Sequence, residues 1–207
     1  MLKLLPLILF LYSCTLGPNN FQSSHSTDLA ARNVHRIAIL PADGGGLGEK
    51  GKGIEQEPNV ILSNFLYSNM SALPNWQIVS DHEVREVTPK IGQGSDIARA
   101  RRLGELVYAD AVISGRIVRY RERVGGDLGV KSPASVAFVL EVRDTKRGDV
   151  VWSARFDETQ RSLSENILAI GEFTQRGAKW LKAEELTYEG VKKAVDQLHR
   201  TLYGPPA

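Results

Sequence analysis

The chain has 207 residues, of which 42% are hydrophobic and 24% are charged, and this is the composition of an ordinary globular protein. Its 26 basic and 24 acidic residues give a formal net charge of +2, so the charge balance does not favour nucleic acid as a partner. The chain contains one cysteine, which excludes a disulfide within the chain and leaves the fold dependent on a hydrophobic core.

The N-terminal segment predicts export and lipid attachment. Lys3 precedes the apolar stretch LLPLILFL, which is shorter than the roughly 20 residues that cross a bilayer and leads through LYSC to Cys14. This arrangement resembles the signal of bacterial lipoproteins, in which the cysteine is acylated and becomes the first residue of the mature protein. Residues 1–13 are therefore predicted to be a signal peptide, and Cys14 is predicted to carry the lipid. The alternative is an ordinary secretory signal followed by a free thiol.

The segment after the cysteine predicts a flexible tether and an outer-membrane location. Residues 14–33 are polar and rich in Ser, Asn and Gly, without a hydrophobic period. Thr15 stands where, in lipoproteins of many Gram-negative bacteria, an aspartate indicates retention in the inner membrane. That resemblance favours the outer membrane, with the protein facing the periplasm. Residues 34–207 are predicted to form one periplasmic domain.

A glycine-rich segment follows the first predicted strand, RIAILP, and matches two nucleotide-binding patterns. Gly46, Gly48 and Gly51 fit G-x-G-x-x-G, and Gly46, Gly51 and Lys52 fit most of the phosphate-binding loop G-x-x-x-x-G-K-[ST]. The context argues against both, because a glycine replaces the magnesium-binding serine or threonine and the next helix begins several residues later. We expect residues 42–57 to form a surface loop that contacts a partner. The alternative is a small-molecule binder that uses this loop, which requires a ligand-sized pocket beside the first strand.

Periodic apolar residues predict three helices after this loop. Ser80 and Glu83 are spaced as a capping box at the start of the second helix, which follows the strand WQIVS, and Ser95 is placed to cap the third. The first and third helices are each expected to bury one face. The residues that align on these faces are Ile61, Leu62, Phe65, Leu66, Met70, Ile97, Ala100, Leu103 and Val107.

Three strands and a last helix complete the pattern. The first strand is AVISGRIVRYRERV, and the next two alternate apolar and polar residues on either side of the turn DTKRGD, with Gly148 in the turn. The order β-α-β-α-β-β-β-α predicts a single α/β (α+β) domain, with a mixed sheet and helices packed on one or both faces. The apolar residues that align are Val136, Phe138, Leu140, Val142, Val150, Trp152, Ala154 and Phe156 in the strands, and Val191, Ala194, Val195, Leu198 and Leu202 in the helix.

A strip of arginines near the end of the first long strand is one candidate interaction site. It consists of Arg116, Arg119, Arg121 and Arg123. The strip predicts either a docking surface for an acidic partner or a solvated strand edge that discourages aggregation.

The segment 163–181 is a second candidate. It is rich in apolar residues but lacks one clean period. This pattern indicates core that covers the sheet edge, or a residual exposed patch in which Phe173 and Trp180 contact another protein, since aromatic residues are favoured at interfaces.

The sequence contains no motif that predicts catalysis or metal binding. The four histidines stand apart from one another. Asp81, His82 and Glu83 are consecutive, and adjacent residues of a helix do not face each other. A role as the charged first turn of a helix is favoured for them. We therefore expect no enzymatic activity, no cofactor and no metal.

Three stretches together resemble a group of bacterial envelope proteins. They are VHRIAILP, LGELVYADAVISGRIVRY and VAFVLEVRDTKRGDVVWSARFDET, which cover roughly residues 35 to 160. The group contains the curli-secretion lipoprotein, the lipoprotein activator of penicillin-binding proteins and the N-terminal domain of the Tol-system translocation protein. The resemblance implies the same β-α-β-α-β-β-β-α core, and a function in periplasmic protein binding or envelope assembly without catalysis.

The sequence thus predicts a membrane-anchored lipoprotein that binds another envelope protein and acts in envelope assembly or regulation. The first alternative is a subunit of an oligomeric outer-membrane secretion complex, which requires a ring-forming interface and the ordering of VGGDLGVKSP into a hairpin. The second is a periplasmic small-molecule binder that uses the glycine-rich loop.

Overall fold

The computed structural model describes residues 20–41, 57–126, 130–160 and 180–204, and these contain eight strands and four α-helices. The strands are β1 (Phe21–His25), β2 (Arg36–Ile39), β3 (Gln77–Ile78), β4 (Ala111–Arg121), β5 (Val124–Gly125), β6 (Val130–Ser132), β7 (Ser135–Asp144) and β8 (Val150–Thr159). The helices are α1 (Pro58–Ser71), α2 (Asp81–Ile91), α3 (Asp96–Val107) and α4 (Ala183–Tyr203).

Six strands form one mixed sheet in the order β1-β8-β7-β4-β2-β3, and β5 and β6 form a separate ladder. β2, β3 and β4 run parallel, whereas β1, β8, β7 and β4 pair antiparallel. α1 and α4 pack on one face of the sheet, and α2 and α3 pack on the other. The predicted α/β domain with a mixed sheet is confirmed. None of the described helices is both long enough and apolar enough to cross a membrane.

The larger hydrophobic core lies between the sheet and helices α1 and α4. The rings of Phe138 and Phe156, in neighbouring strands, stack with their centroids 5.1 Å apart. The alternation predicted for β7 and the helical stripe predicted for α4 are both confirmed. Their buried residues are Val136, Phe138, Leu140 and Val142 in β7, and Val191, Ala194, Val195 and Leu198 in α4.

A smaller core lies on the opposite face, where α2 and α3 cover β2, β3 and the beginning of β4. Both helices begin where the sequence predicts. The Ser80 hydroxyl accepts a hydrogen bond from the Glu83 amide at 3.1 Å, and the Ser95 hydroxyl caps α3 in the same way at 3.3 Å. Ile97 differs from the prediction and is 48% exposed, because the buried face of α3 begins only at Ala100.

The second half of the predicted tether belongs to the folded domain. β1 pairs antiparallel with β8 along all five of its residues and forms one edge of the sheet. A 3₁₀ helix (Leu29–Arg32) follows, and its Leu29 side chain is buried in the larger core. The structure therefore corrects the flexible tether predicted for residues 14–33, because residues 20–33 are held by the edge of β8 and by this apolar contact.

Arg32 connects the N-terminal segment to the turn between β7 and β8 through ion pairs. Its guanidinium is 8% exposed and lies 2.9 Å from Asp28, 3.2 Å from Asp144 and 2.8 Å from Asp149. The hydrogen bond from Arg32 holds the pKa of Asp149 below its ordinary value, although burial acts in the opposite direction. The attachment of this segment is therefore partly electrostatic.

Acid is expected to loosen this attachment before it unfolds the core. Because the folded-state pKa of Asp149 is lowered, its pairing with Arg32 stabilises the fold above the ordinary pKa of 3.8 and is lost as the pH falls through the lower folded value. Hydrogen-exchange protection of β1 should therefore fall as the pH drops below the ordinary pKa of 3.8, while α4 stays protected. In Arg32→Met, protection of β1 should already be reduced at neutral pH. Parallel loss of protection in β1 and α4 in both proteins would contradict this expectation.

Candidate interaction surface and ligand pocket

One face of the antiparallel half of the sheet carries arginine side chains and is not covered by a described helix. On this half, α1 and α4 occupy the core face, and α3 reaches only the ends of β4 and β7 on the other. We call this uncovered surface the basic face. Its charged residues are Arg116, Arg119 and Arg121 of β4, Glu141 and Arg143 of β7, and Arg155 and Asp157 of β8.

A β-bulge in β4 gathers the arginines on this face. Regular alternation would place Arg116 and Arg119 on opposite faces, because they are an odd number of residues apart. The register of β4 against β7 shifts between Ile117 and Arg119. As a result, Arg116, Arg119 and Arg121 all lie opposite residues of β7 that share one face.

Two carboxylates neutralise part of the positive charge. Arg119 pairs with Asp157, and Arg155 lies 2.9 Å from the same carboxylate. Arg143 pairs with Glu141, two residues earlier on β7. Burial raises the pKa of Asp157, but the two arginines beside it outweigh that effect and hold the pKa below its ordinary value. Asp157 is therefore ionised at neutral pH and fixes both of its arginine partners.

Arg116 and Arg121 remain as exposed cations on the basic face. Both side chains are exposed, and neither forms an ion pair with any described residue. Five arginines against two carboxylates leave the face with a clear excess of positive charge. Val118, in the bulge, is 43% exposed beside them. Guanidinium groups next to apolar surface are typical of the residues that dominate protein–protein binding energies.

Arg123 and Trp180 lie apart from the basic face. The guanidinium of Arg123 donates a hydrogen bond to the Trp180 carbonyl at 2.7 Å, and the Glu122 carboxylate accepts from the Ala183 amide at 3.1 Å. These contacts join the end of β4 to the start of α4. Trp180 is 9% exposed, so its side chain is not part of an exposed patch. Phe173 lies outside the described residues.

The arginines of β4 lie on a strand that is internal to the sheet over only part of its length. β4 lies between β7 and β2, and the edge strands of the sheet are β1 and β3. Beyond Ile113, β4 pairs with no described strand on the β2 side, and there the side-chain carbonyl of Asn59 in α1 accepts a hydrogen bond from the Ile117 amide at 3.0 Å. A solvated strand edge therefore stays the alternative prediction for these arginines.

A cavity of about 530 Å³ opens between α1 and α2, at the ends of β2 and β3. This is the pocket beside the first predicted strand that the small-molecule alternative requires. The candidate loop residues Gly46, Gly48, Gly51 and Lys52 lie outside the described residues. The site is therefore defined by the strands and helices around it.

Two of the described histidines, His199 and His82, lie in different surroundings. The ring of His199 lies 5.1 Å from the rings of both Trp76 and Tyr203, and its Nε2 is 2.9 Å from the Pro74 carbonyl oxygen. His82 is exposed in the first turn of α2. Within the described parts of the chain, no three His, Cys, Asp or Glu side chains are grouped as a metal site.

Comparison with known sequences finds no protein-family profile and no curated protein that matches this chain.

Comparison with solved structures does find matches. One is the PelC dodecamer from Paraburkholderia phytofirmans, with 14% identity over 84% of this chain and 93% of that chain and a TM-score of 0.46. Lipoprotein GNA1162 from Neisseria meningitidis has 16% identity over 69% and 93%, with a TM-score of 0.43. The LpoB C-terminal domain from Escherichia coli has 10% identity over 61% and 83%, with a TM-score of 0.42. At these values the likeness assigns neither partner nor assembly to this chain.

Proposed function

We propose that this protein is a lipid-anchored component of the bacterial cell envelope that binds an acidic surface of another envelope protein and acts in assembly or regulation, without catalysis. The observation that carries the proposal is the exposed pair Arg116 and Arg121 on a sheet face that no described helix covers. The signal-like segment ending at Cys14 and the sequence resemblance to envelope lipoproteins support the location.

The geometry of the basic face favours a protein carboxylate partner. Arg116 and Arg121 lie opposite positions four residues apart on β7, so their attachment points are about 13 Å apart along the strand. Each guanidinium can form two parallel hydrogen bonds with one carboxylate. Val139, which is half-buried between Arg116 and Arg155, provides apolar contact at the centre. A partner surface with two acidic groups at this spacing therefore fits the face.

An acyl group on Cys14 would restrict this binding to the neighbourhood of the membrane surface. The folded domain begins at Asn20, and six residue steps separate it from Cys14. At full extension these steps span about 20 Å, so an acyl group on Cys14 would hold the domain close to the membrane surface. Restriction to that layer raises the effective concentration of the domain for a partner in the same membrane.

Cross-linking of the native protein in its own envelope, followed by mass spectrometry, tests the proposal. Double replacement with Arg116→Glu and Arg121→Glu should abolish the cross-links to the partner, because two attractive contacts become repulsive ones. The matched control is Arg102→Glu with Arg200→Glu. These two arginines are also exposed, but they lie on α3 and α4, where Arg102 pairs weakly with Glu105 at 3.4 Å. The control should keep the cross-links.

The anchor is tested in the same experiment with Cys14→Ala, which should weaken the cross-links without changing their sites. Equal loss of cross-links in the charge-reversal variant and its control would contradict a role for the basic face. Cross-links restricted to other copies of this chain, unaffected by charge reversal, would instead support the oligomeric secretion subunit.

A further inference from the structure

The pocket between α1 and α2 has the position and the lining of a ligand site. We propose that it binds a small neutral molecule with an apolar body and a hydrogen-bonding edge. The site is separate from the basic face, because its lining residues belong to β2, α1, α2 and the segments that follow β2 and β3, whereas the basic face is formed by β4, β7 and β8. It can therefore be tested independently of the proposed partner.

The sheet topology opens a crevice at this point. β2 and β3 are parallel neighbours. The helix after β2 packs against the larger core, and the helix after β3 packs on the opposite face. Because the chain leaves adjacent parallel strands towards opposite faces, the helices separate at the carboxyl ends of the strands, which is where open α/β sheets bind ligands. Pro41 and Asp81, which follow the two strands, both line the pocket.

The deepest part of the pocket is apolar. Ile39, Val79 and Val84 line it and are buried, while Val60 lines it from α1 and is 46% exposed. A volume of about 530 Å³ lies within the range of roughly 300–1,000 Å³ that is usual for small-molecule sites. An apolar ligand body would therefore remove Val60 and its neighbours from water.

Uncharged polar groups supply the hydrogen-bonding edge. Ser63 and Thr88, on facing helices, donate their hydroxyl protons to carbonyls of their own helices at 3.0 and 2.8 Å, which leaves each oxygen free to accept. The side-chain amide of Asn64 is exposed in the lining and forms no hydrogen bond with a described residue. It offers a ligand both a donor and an acceptor.

The two charged side chains that line the pocket, Asp81 and Arg85, offset each other. Arg85 lies 2.5 Å from Asp81 one turn earlier on α2 and is thereby neutralised. Asp81 and Glu83 occupy the first turn of α2, and Glu57 immediately precedes α1. Asp81 pairs with Arg85 and Glu83 pairs with Arg36, so these carboxylates and arginines offset one another. The charged side chains of the lining therefore cancel, and a neutral ligand is the class that fits the site.

Binding of the neutral fluorophore N-phenyl-1-naphthylamine tests the proposal. The protein is the mature chain from residue 14 with Cys14→Ser, which carries no acyl group. It should bind the fluorophore at one saturable site with increased, blue-shifted emission. Ser63→Trp fills the pocket from α1 and should weaken binding about tenfold or more. Ser68→Trp makes the same change on the exposed side of α1 and should leave the affinity within about twofold.

A second variant distinguishes filling of the pocket from a general loss of folding. If Ser63→Trp alters the circular dichroism spectrum or the unfolding temperature, Thr88→Trp, which enters the pocket from α2, takes its place. Three results would overturn the proposal. They are the absence of saturable binding, equal weakening by Ser63→Trp and Ser68→Trp, and displacement of the fluorophore by excess inorganic phosphate.

Discussion

Replacing Phe138 with alanine is expected to lower the free energy of unfolding by about 3–5 kcal/mol. The Phe138 side chain is fully buried at the centre of β7 and stacks on Phe156. Truncation removes a ring from this stack and leaves a cavity, because Gly190 of α4 has no side chain that could move into the space. Denaturant unfolding followed by circular dichroism measures the loss.

The neighbouring residue provides the matched control. Val139→Ala also truncates an apolar side chain of β7, but Val139 lies on the basic face and is half-buried. We expect it to cost less than about 1 kcal/mol. A loss as large as that of Phe138→Ala would mean that the basic face is covered in solution, and it would remove the basis for partner docking at Arg116 and Arg121.

Long elements with a strong period could be predicted from the sequence because each carries its own pattern of burial. The stripe of α4 and the alternation of β7 require no knowledge of their partners, since a helix or strand with one apolar face must bury that face. The turn between β7 and β8 was predicted for a similarly local reason. Gly148 adopts a φ of 78° there, a conformation that favours glycine.

β1 was not predicted from the sequence, because it forms through pairing with β8, which is distant along the chain. Its sequence, FQSSH, is mostly polar, and its four residues after Phe21 are exposed. What makes it a strand is the open backbone edge of β8, together with the contacts of Leu29 and Arg32 that follow it. The same segment read as an isolated sequence resembles a linker, because polar residues without a period indicate no core-facing side.

The candidate sites likewise combine features that follow from local sequence with features that depend on distant residues. The sequence identified Arg116, Arg119 and Arg121, but the bulge that brings them to one face depends on the pairing of β4 with β7. Neutralisation of Arg119 by Asp157 joins residues 38 positions apart and could not be predicted. The pocket is assembled from β2, α1, α2 and the segments after β2 and β3, and the sequence pointed to it only through the small-molecule alternative, which requires a pocket beside the first strand.

Gly190→Ala is expected to destabilise the protein by about 1–3 kcal/mol, although alanine is intrinsically better than glycine in a helix by about 1 kcal/mol. A Cβ atom at this position would lie 2.8 Å from two ring atoms of Phe156 and 2.9 Å from one of Phe138, closer than packed carbons approach. The steric term therefore exceeds the gain in helix propensity. Denaturant unfolding of the single variant measures the net effect.

Replacing Phe156 with a smaller side chain separates the steric cost of Gly190→Ala from its gain in helix propensity. In a Phe156→Leu background, Gly190→Ala should cost less than it does alone, and the difference should be a coupling energy of about 0.5–3 kcal/mol. If Gly190→Ala stabilised the otherwise unchanged protein, α4 would lie farther from β7 and β8 than the structure places it. The larger core would then be looser on that side, and the rigid sheet that presents Arg116 and Arg121 on its other face would lose part of its support.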